Sequence, residues 1–109
     1  MIRPTASFKD NLALLPAIDG ITRIELTDAA GATVAVIENQ PGKQGSLAVY
    51  AYLGAAFGAL TTEAATHGLE VFAEHTADAK ARPGAHPNID RLFEVIASGA
   101  ALEIKVVKA

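Results

Sequence analysis

The residues that could do chemistry fall into two groups, and the first is a glycine-rich loop. Gly42, Lys43, Gly45 and Ser46 stand just before an apolar run. Glycines let backbone N–H groups converge, a helix N-terminus carries partial positive charge, and a lysine adds a full charge. The loop therefore predicts a site for a small anion such as phosphate or carboxylate. The alternative is a strand-to-helix turn capped by Ser46, since the spacing of a P-loop is absent.

The second group is polar and centres on His75 and His86, with Asp78 and Asp90 close in sequence. Histidine titrates near neutral pH, so two imidazoles with one or two carboxylates could hold a divalent metal or run acid–base catalysis. The spacing matches no metal-binding motif, and we predict neither a metal nor a cofactor. The alternative is structural. The Asp90 carboxylate, in the first turn of a helix, would interact favourably with the helix dipole. His86 would fix a bend before Pro87.

A stripe of acidic residues shares one face of a predicted helix, and a solvated surface produces the same spacing. We interpret it as an exposed face. Its members are Glu63, His67, Glu70, Glu74 and Asp78.

Composition excludes several classes of protein. The chain has 109 residues, a net charge of −3 and no cysteine, so disulfides and thiol chemistry are excluded. The net negative charge and the scattered basic residues argue against binding to nucleic acid. The densest apolar run, 47–60, is short of the roughly 20 residues that cross a bilayer, and no signal peptide is evident. We predict a cytoplasmic protein that binds neither nucleic acid nor membrane.

Periodicity predicts an α+β fold with the order αββαααβ. We expect one domain over residues 1–109, with 1–6 as a flexible tail and a small three-stranded, mainly antiparallel sheet covered on one face by helices. The position of the last strand beside the hairpin is left open. The predicted elements are a helix capped by Ser7, strands at 21–27 and 33–38, helices at about 47–60 and 62–80, a helix capped by Asn88 and ended by Gly99, and a strand at 102–106.

The helix after Ser46 is apolar nearly all round, so it must be central in its domain or covered by a partner. Together with open sheet edges, it predicts a homodimer. Three functions remain open from the residues alone: a self-associating, non-enzymatic interaction module; a binder of small anions or ligands at Gly42–Ser46; and an enzyme using His75 and His86.

Three segments carry a resemblance to a known family: SFKDNLA, ENQPGKQGSLAVY and FAEHTADAKARPGAHPNIDRL. Together they resemble the bacterial family filed as domain of unknown function 2322, over Ser7 to about Gly99. The resemblance implies a bacterial origin and a compact single domain. It implies no activity, substrate or catalytic residue.

Overall fold

A computed structural model describes all residues 1–109 and contains five helices and three strands. The elements are α1 (Phe8–Leu14), β1 (Ile21–Thr27), β2 (Thr33–Glu38), α2 (Gln44–Phe57), α3 (Thr62–Phe72), α4 (Glu74–Ala81), α5 (Pro87–Ser98) and β3 (Glu103–Lys108). The α+β class is confirmed.

The sheet is antiparallel, with the strand order β2-β1-β3. Its inner face buries Ile24 and Leu26 of β1, which pair across the ladder with Ile37 and Ala35 of β2. Arg23 and Glu25 alternate with these residues and lie on the other face, as the period of two requires. The last strand joins β1, so both β2 and β3 are edges.

The apolar helix α2 is central within a single chain. It buries Leu47, Val49, Tyr50, Tyr52 and Leu53 against the sheet and the other helices. A Cβ at Gly54 would lie 3.1 Å from Ile104 Cγ2, so this glycine allows α2 to approach β3 closely. The hydrophobic character of the helix is therefore explained by burial within the domain.

The predicted third helix is broken in two at Ala73. This residue has φ of 52° and ψ of −119°, so the chain turns between α3 and α4. Carbonyls that a continuous helix would pair internally find side-chain donors: Thr76 Oγ1 donates to Leu69 O at 2.6 Å, and Asn11 Nδ2 donates to Val71 O at 2.9 Å. The prediction of one helix through Lys80 was wrong because these tertiary bonds stabilise the break.

Two helix starts also differ from the prediction. Lys43 precedes the first turn of α2, so Ser46 lies inside the helix and is not its cap. At α5 the helix begins at Pro87 with His86 before it, because proline suits the first helical position. The predicted cap, Asn88, therefore falls within the first turn.

Two further features concern the surface and the N-terminal segment. Residues 1–6 form neither helix nor strand, but the Ile2 N–H donates to Tyr52 Oη at 3.1 Å. Their flexibility stays a prediction. None of the helices combines the length and the hydrophobicity that a bilayer crossing needs.

Candidate functional site

A surface cavity of about 460 Å³ brings together the two groups of residues that the sequence singled out. Gly42, Lys43 and Ser46 line it from the loop between β2 and α2. His75 and His86 line it from α4 and from the bend before α5. Residues separated by some forty positions in the chain thus share one cavity.

Four helices begin at this cavity. Phe8 is the first residue of α1, His75 the second of α4 and Pro87 the first of α5, and Ser46 lies in the first turn of α2. The N-terminal end of a helix carries partial positive charge on unpaired N–H groups. At the start of α2, the N–H groups of residues Gln44 to Ser46 have no hydrogen-bond acceptor within the chain. The start of α2 is therefore electropositive, whereas α1, α4 and α5 each carry an acidic residue in the first turn.

His86 is fixed by a carboxylate. Its Nε2 lies 2.6 Å from Asp78 Oδ2, and Asp78 also accepts 2.9 and 2.5 Å hydrogen bonds from Arg82. Hydrogen bonds first from Arg82 and then from His86 hold the pKa of the Asp78 carboxyl well below its usual value. The Asp78 side chain does not line the cavity, so it acts on the cavity through His86.

His75 is held by aromatic packing. Its ring lies edge-on to Phe8, with the ring centroids 5.1 Å apart, and Phe8 in turn stacks on Phe72 at 5.3 Å. The centroids of His75 and His86 are 5.8 Å apart. The two imidazoles are near enough to act on one bound molecule.

Arg91 is a cavity residue that the sequence analysis missed. Its Nη1 donates to Asn88 Oδ1 at 2.8 Å and to Tyr50 Oη at 3.3 Å, while Tyr50 donates to Asn88 O at 2.5 Å. Burial raises the pKa of the Tyr50 phenol to about 12, so this hydroxyl stays protonated. Position 91 is one helical turn after Pro87, and that spacing could have pointed to Arg91.

Besides Asp78, two predicted site residues lie outside the lining. A Cβ at Gly45 would lie 3.2 Å from the Phe8 ring, so Gly45 serves the close contact of α1 and α2. Asp90 Oδ2 accepts the Gly84 N–H at 2.9 Å and stabilises the bend before α5. Neither residue is placed to touch a molecule in the cavity.

The acidic stripe is only partly a solvated face. Glu74 accepts the Phe8 N–H at 2.7 Å, and this bond lowers the pKa of the Glu74 carboxyl. His67 Nε2 lies 2.7 Å from Tyr52 Oη, and His67 and Asp78 are half-buried, whereas Glu63, Glu70 and Glu74 are exposed. No three histidine and acidic side chains come close enough to hold a metal ion.

The fold and the cavity define a class: a small α+β domain whose helices begin around a cationic cavity. Residues 8–106 match the family model described as "Uncharacterized protein conserved in bacteria (DUF2322)". This match covers nearly the whole chain, so the protein belongs to that family, and the resemblance found in the sequence is confirmed. Comparisons with curated proteins and with solved structures find no match.

Proposed function

We propose that this protein binds a small anion, or the anionic group of a larger molecule, in the cavity between the Gly42–Ser46 loop and α5. The observation that carries the proposal is the charge of the lining. The fourteen lining residues include Lys43, Arg91, His75 and His86, and none is an aspartate or glutamate. The chain as a whole has a net charge of −3, so this concentration of basic groups is local.

The charges of Lys43 and Arg91 are not neutralised by the protein. No carboxylate oxygen lies within 4.0 Å of the Lys43 ammonium or the Arg91 guanidinium. The guanidinium is instead oriented by the neutral oxygens of Asn88 and Tyr50. A bound phosphate or carboxylate would supply the missing counter-charge, and a guanidinium can hold either group through two hydrogen bonds.

The shape of the cavity also supports this proposal. Its volume of about 460 Å³ falls within the usual range for small-molecule sites. The N–H group of Ser46 in the first turn of α2 has no acceptor within the chain and adds a donor near Lys43. Phe8 and Phe72 provide an apolar wall, which strengthens electrostatic attraction by excluding water.

Isothermal titration calorimetry with inorganic phosphate, adenosine monophosphate and succinate tests this function. We expect saturable binding of at least one compound, weakened about tenfold or more in Lys43→Ala. The matched control is Lys105→Ala, because Lys105 is an exposed lysine on β3, away from the cavity lining. The absence of heat with all three compounds contradicts the proposal, and so does an equal loss in both variants.

A second candidate function is acid–base catalysis on the bound anion. It is favoured by the Asp78–His86 hydrogen bond of 2.6 Å and by the position of His75 across the same cavity. Asp78 would orient the imidazole of His86, as carboxylates do for catalytic histidines. Hydrolysis of p-nitrophenyl phosphate and bis(p-nitrophenyl) phosphate tests this candidate. We expect turnover that His86→Gln abolishes, and an undetectable rate for both substrates contradicts it.

Self-association remains a further prediction. The apolar helix that first suggested it is buried within one chain, so α2 does not supply an interface. What supports a dimer is the edge strand β2, on which Val34 and Val36 are about half exposed. Light scattering at tens of micromolar tests this prediction, and a strictly monomeric protein contradicts it.

A further inference from the structure

A groove runs along the free edge of β2. The cationic cavity is lined by Val36 and Ile37 of this strand, and a second cavity of about 590 Å³ is lined by Val34. Both cavities share Pro87 and Arg91 of α5 as lining residues. The two cavities are therefore neighbouring parts of one groove, lined by an edge strand and a helix.

The edge offers unpaired backbone groups to a ligand. Asn39 donates to Thr22 O across the ladder, and the constant register makes Ile24–Ile37 a hydrogen-bonded pair. Glu25–Val36, one residue away, is then a non-hydrogen-bonded pair, so the N–H and C=O of Val36 point away from β1. This is the arrangement from which a sheet accepts another strand.

The two edges of the sheet differ in protection. β3 carries Lys105 and Lys108, and lysines on an edge discourage pairing with another chain. β2 has no basic residue and ends in its single charged residue, Glu38. Val34 and Val36 are 50% and 46% exposed, so β2 presents side chains suited to pairing along with its free backbone groups.

We infer that the groove between β2 and α5 binds an extended peptide that carries an acidic side chain. The inference rests on the proposed function, because the acidic group would occupy the cationic cavity beside Lys43 and Arg91. Charge complementarity selects this occupant: one end of the groove has two unpaired cations. The other end contains Val34, Val95 and Leu102, which accept apolar side chains. It also carries the carboxylates of Asp90 and Glu94, so the two ends of the groove differ in charge.

The geometry sets the length of the peptide, and antiparallel pairing, as in the rest of the sheet, sets its direction. β2 has six residues, a span of about 20 Å at the usual strand rise. The twelve residues of α5 span about 18 Å, so the groove fits about six extended residues. An antiparallel peptide starts at the Glu38 end of β2, beside the cationic cavity. Its acidic residue therefore precedes its apolar residues in sequence.

Selection from random nine-residue peptides displayed on phage, followed by fluorescence anisotropy with a synthesised peptide, tests the inference. We expect the selected peptides to share an aspartate or glutamate followed by β-branched or aromatic residues. Val36→Pro removes the outward N–H without removing a bond of the native ladder, and edge strands tolerate such a proline. This variant should bind the peptide at least tenfold more weakly. The control Val36→Thr keeps the N–H and should keep the wild-type affinity for the peptide.

The outcomes separate this inference from the proposed function. Phosphate binding with no selected peptide, or with peptide affinity unchanged in Val36→Pro, overturns the peptide site and leaves the anion site standing. Circular dichroism and a cooperative urea-unfolding transition check that Val36→Pro is folded; if it is not, N-methylation of successive peptide amides replaces the variant. A dimer that Val36→Pro converts to a monomer assigns the edge to a second copy and also overturns the peptide site.

Discussion

The side-chain amide of Asn11 donates a 2.9 Å hydrogen bond to the backbone carbonyl of Val71, sixty residues away in sequence. Asn11 is fully buried, and its Oδ1 accepts hydrogen bonds from the N–H and hydroxyl of Thr5. In an unbroken helix the Val71 carbonyl would pair with the N–H of His75. The buried amide thus replaces a helical bond at the break that places His75 in the cavity.

Replacing Asn11 with alanine should destabilise the protein by about 1–3 kcal/mol, because it leaves a buried carbonyl without a donor. Urea unfolding followed by circular dichroism measures the change. Asn11→Asp is the near-isosteric comparison. It should cost at least as much, since it places a carboxylate oxygen against the Val71 carbonyl oxygen. A loss below about 0.5 kcal/mol in both variants would contradict the role given to this amide.

Ala73→Gly should stabilise the protein by about 1 kcal/mol. A φ of 52° with a ψ of −119° is strained for any residue with a Cβ, and glycine relieves that strain at some entropic cost. The matched control is Ala77→Gly in the interior of α4, which should lose about 1 kcal/mol. Thermal unfolding of the two variants should therefore move in opposite directions. Equal losses would show that Ala73 is not strained.

Asp78→Asn should make the unfolding free energy of the protein depend less steeply on pH in the acid range. The folded-state pKa of Asp78 lies below its unfolded value of about 4. Its contribution is therefore present above pH 4 and is lost as the pH falls towards the folded-state pKa. Unfolding free energies measured between pH 2 and 6 should change less steeply in the variant. Asp19→Asn, which removes an exposed carboxylate that makes no hydrogen bond, should keep the wild-type slope.

At alkaline pH the group to follow is Tyr50, whose folded-state pKa is raised from 10 to about 12 by burial. The folded state therefore holds this proton more tightly than the unfolded state. The associated stability is present below pH 10 and is lost as the pH rises towards 12. Absorbance at 295 nm should show a component titrating near 12 that Tyr50→Phe removes and Tyr52→Phe keeps. Persistence of that component in Tyr50→Phe would contradict the assignment.

The sequence by itself determined the elements whose signals are local. Alternation placed β1 and β-branched residues placed β2 at their observed bounds. Ser7 caps α1, and Gly99 ends α5 in the left-handed conformation. The Gly42–Ser46 loop and the two histidines were also visible, since glycine, lysine and histidine are informative residue types wherever they stand. Each of these signals depends on neighbours within a few positions, which is why the chain alone reveals them.

Only the tertiary structure decided how these parts meet. The break at Ala73 depends on hydrogen bonds from Asn11 and Thr76. The helical pattern of residues 62–80 does not reveal that a donor sixty residues earlier in the chain pairs with the Val71 carbonyl. The pairing of β3 with β1 leaves β2 as a free edge. The packing of α5 brings Arg91 to the same cavity as Lys43, which lies in the loop between β2 and α2. Long-range packing sets these relations, because contacts between distant segments depend on how whole helices and strands fit together.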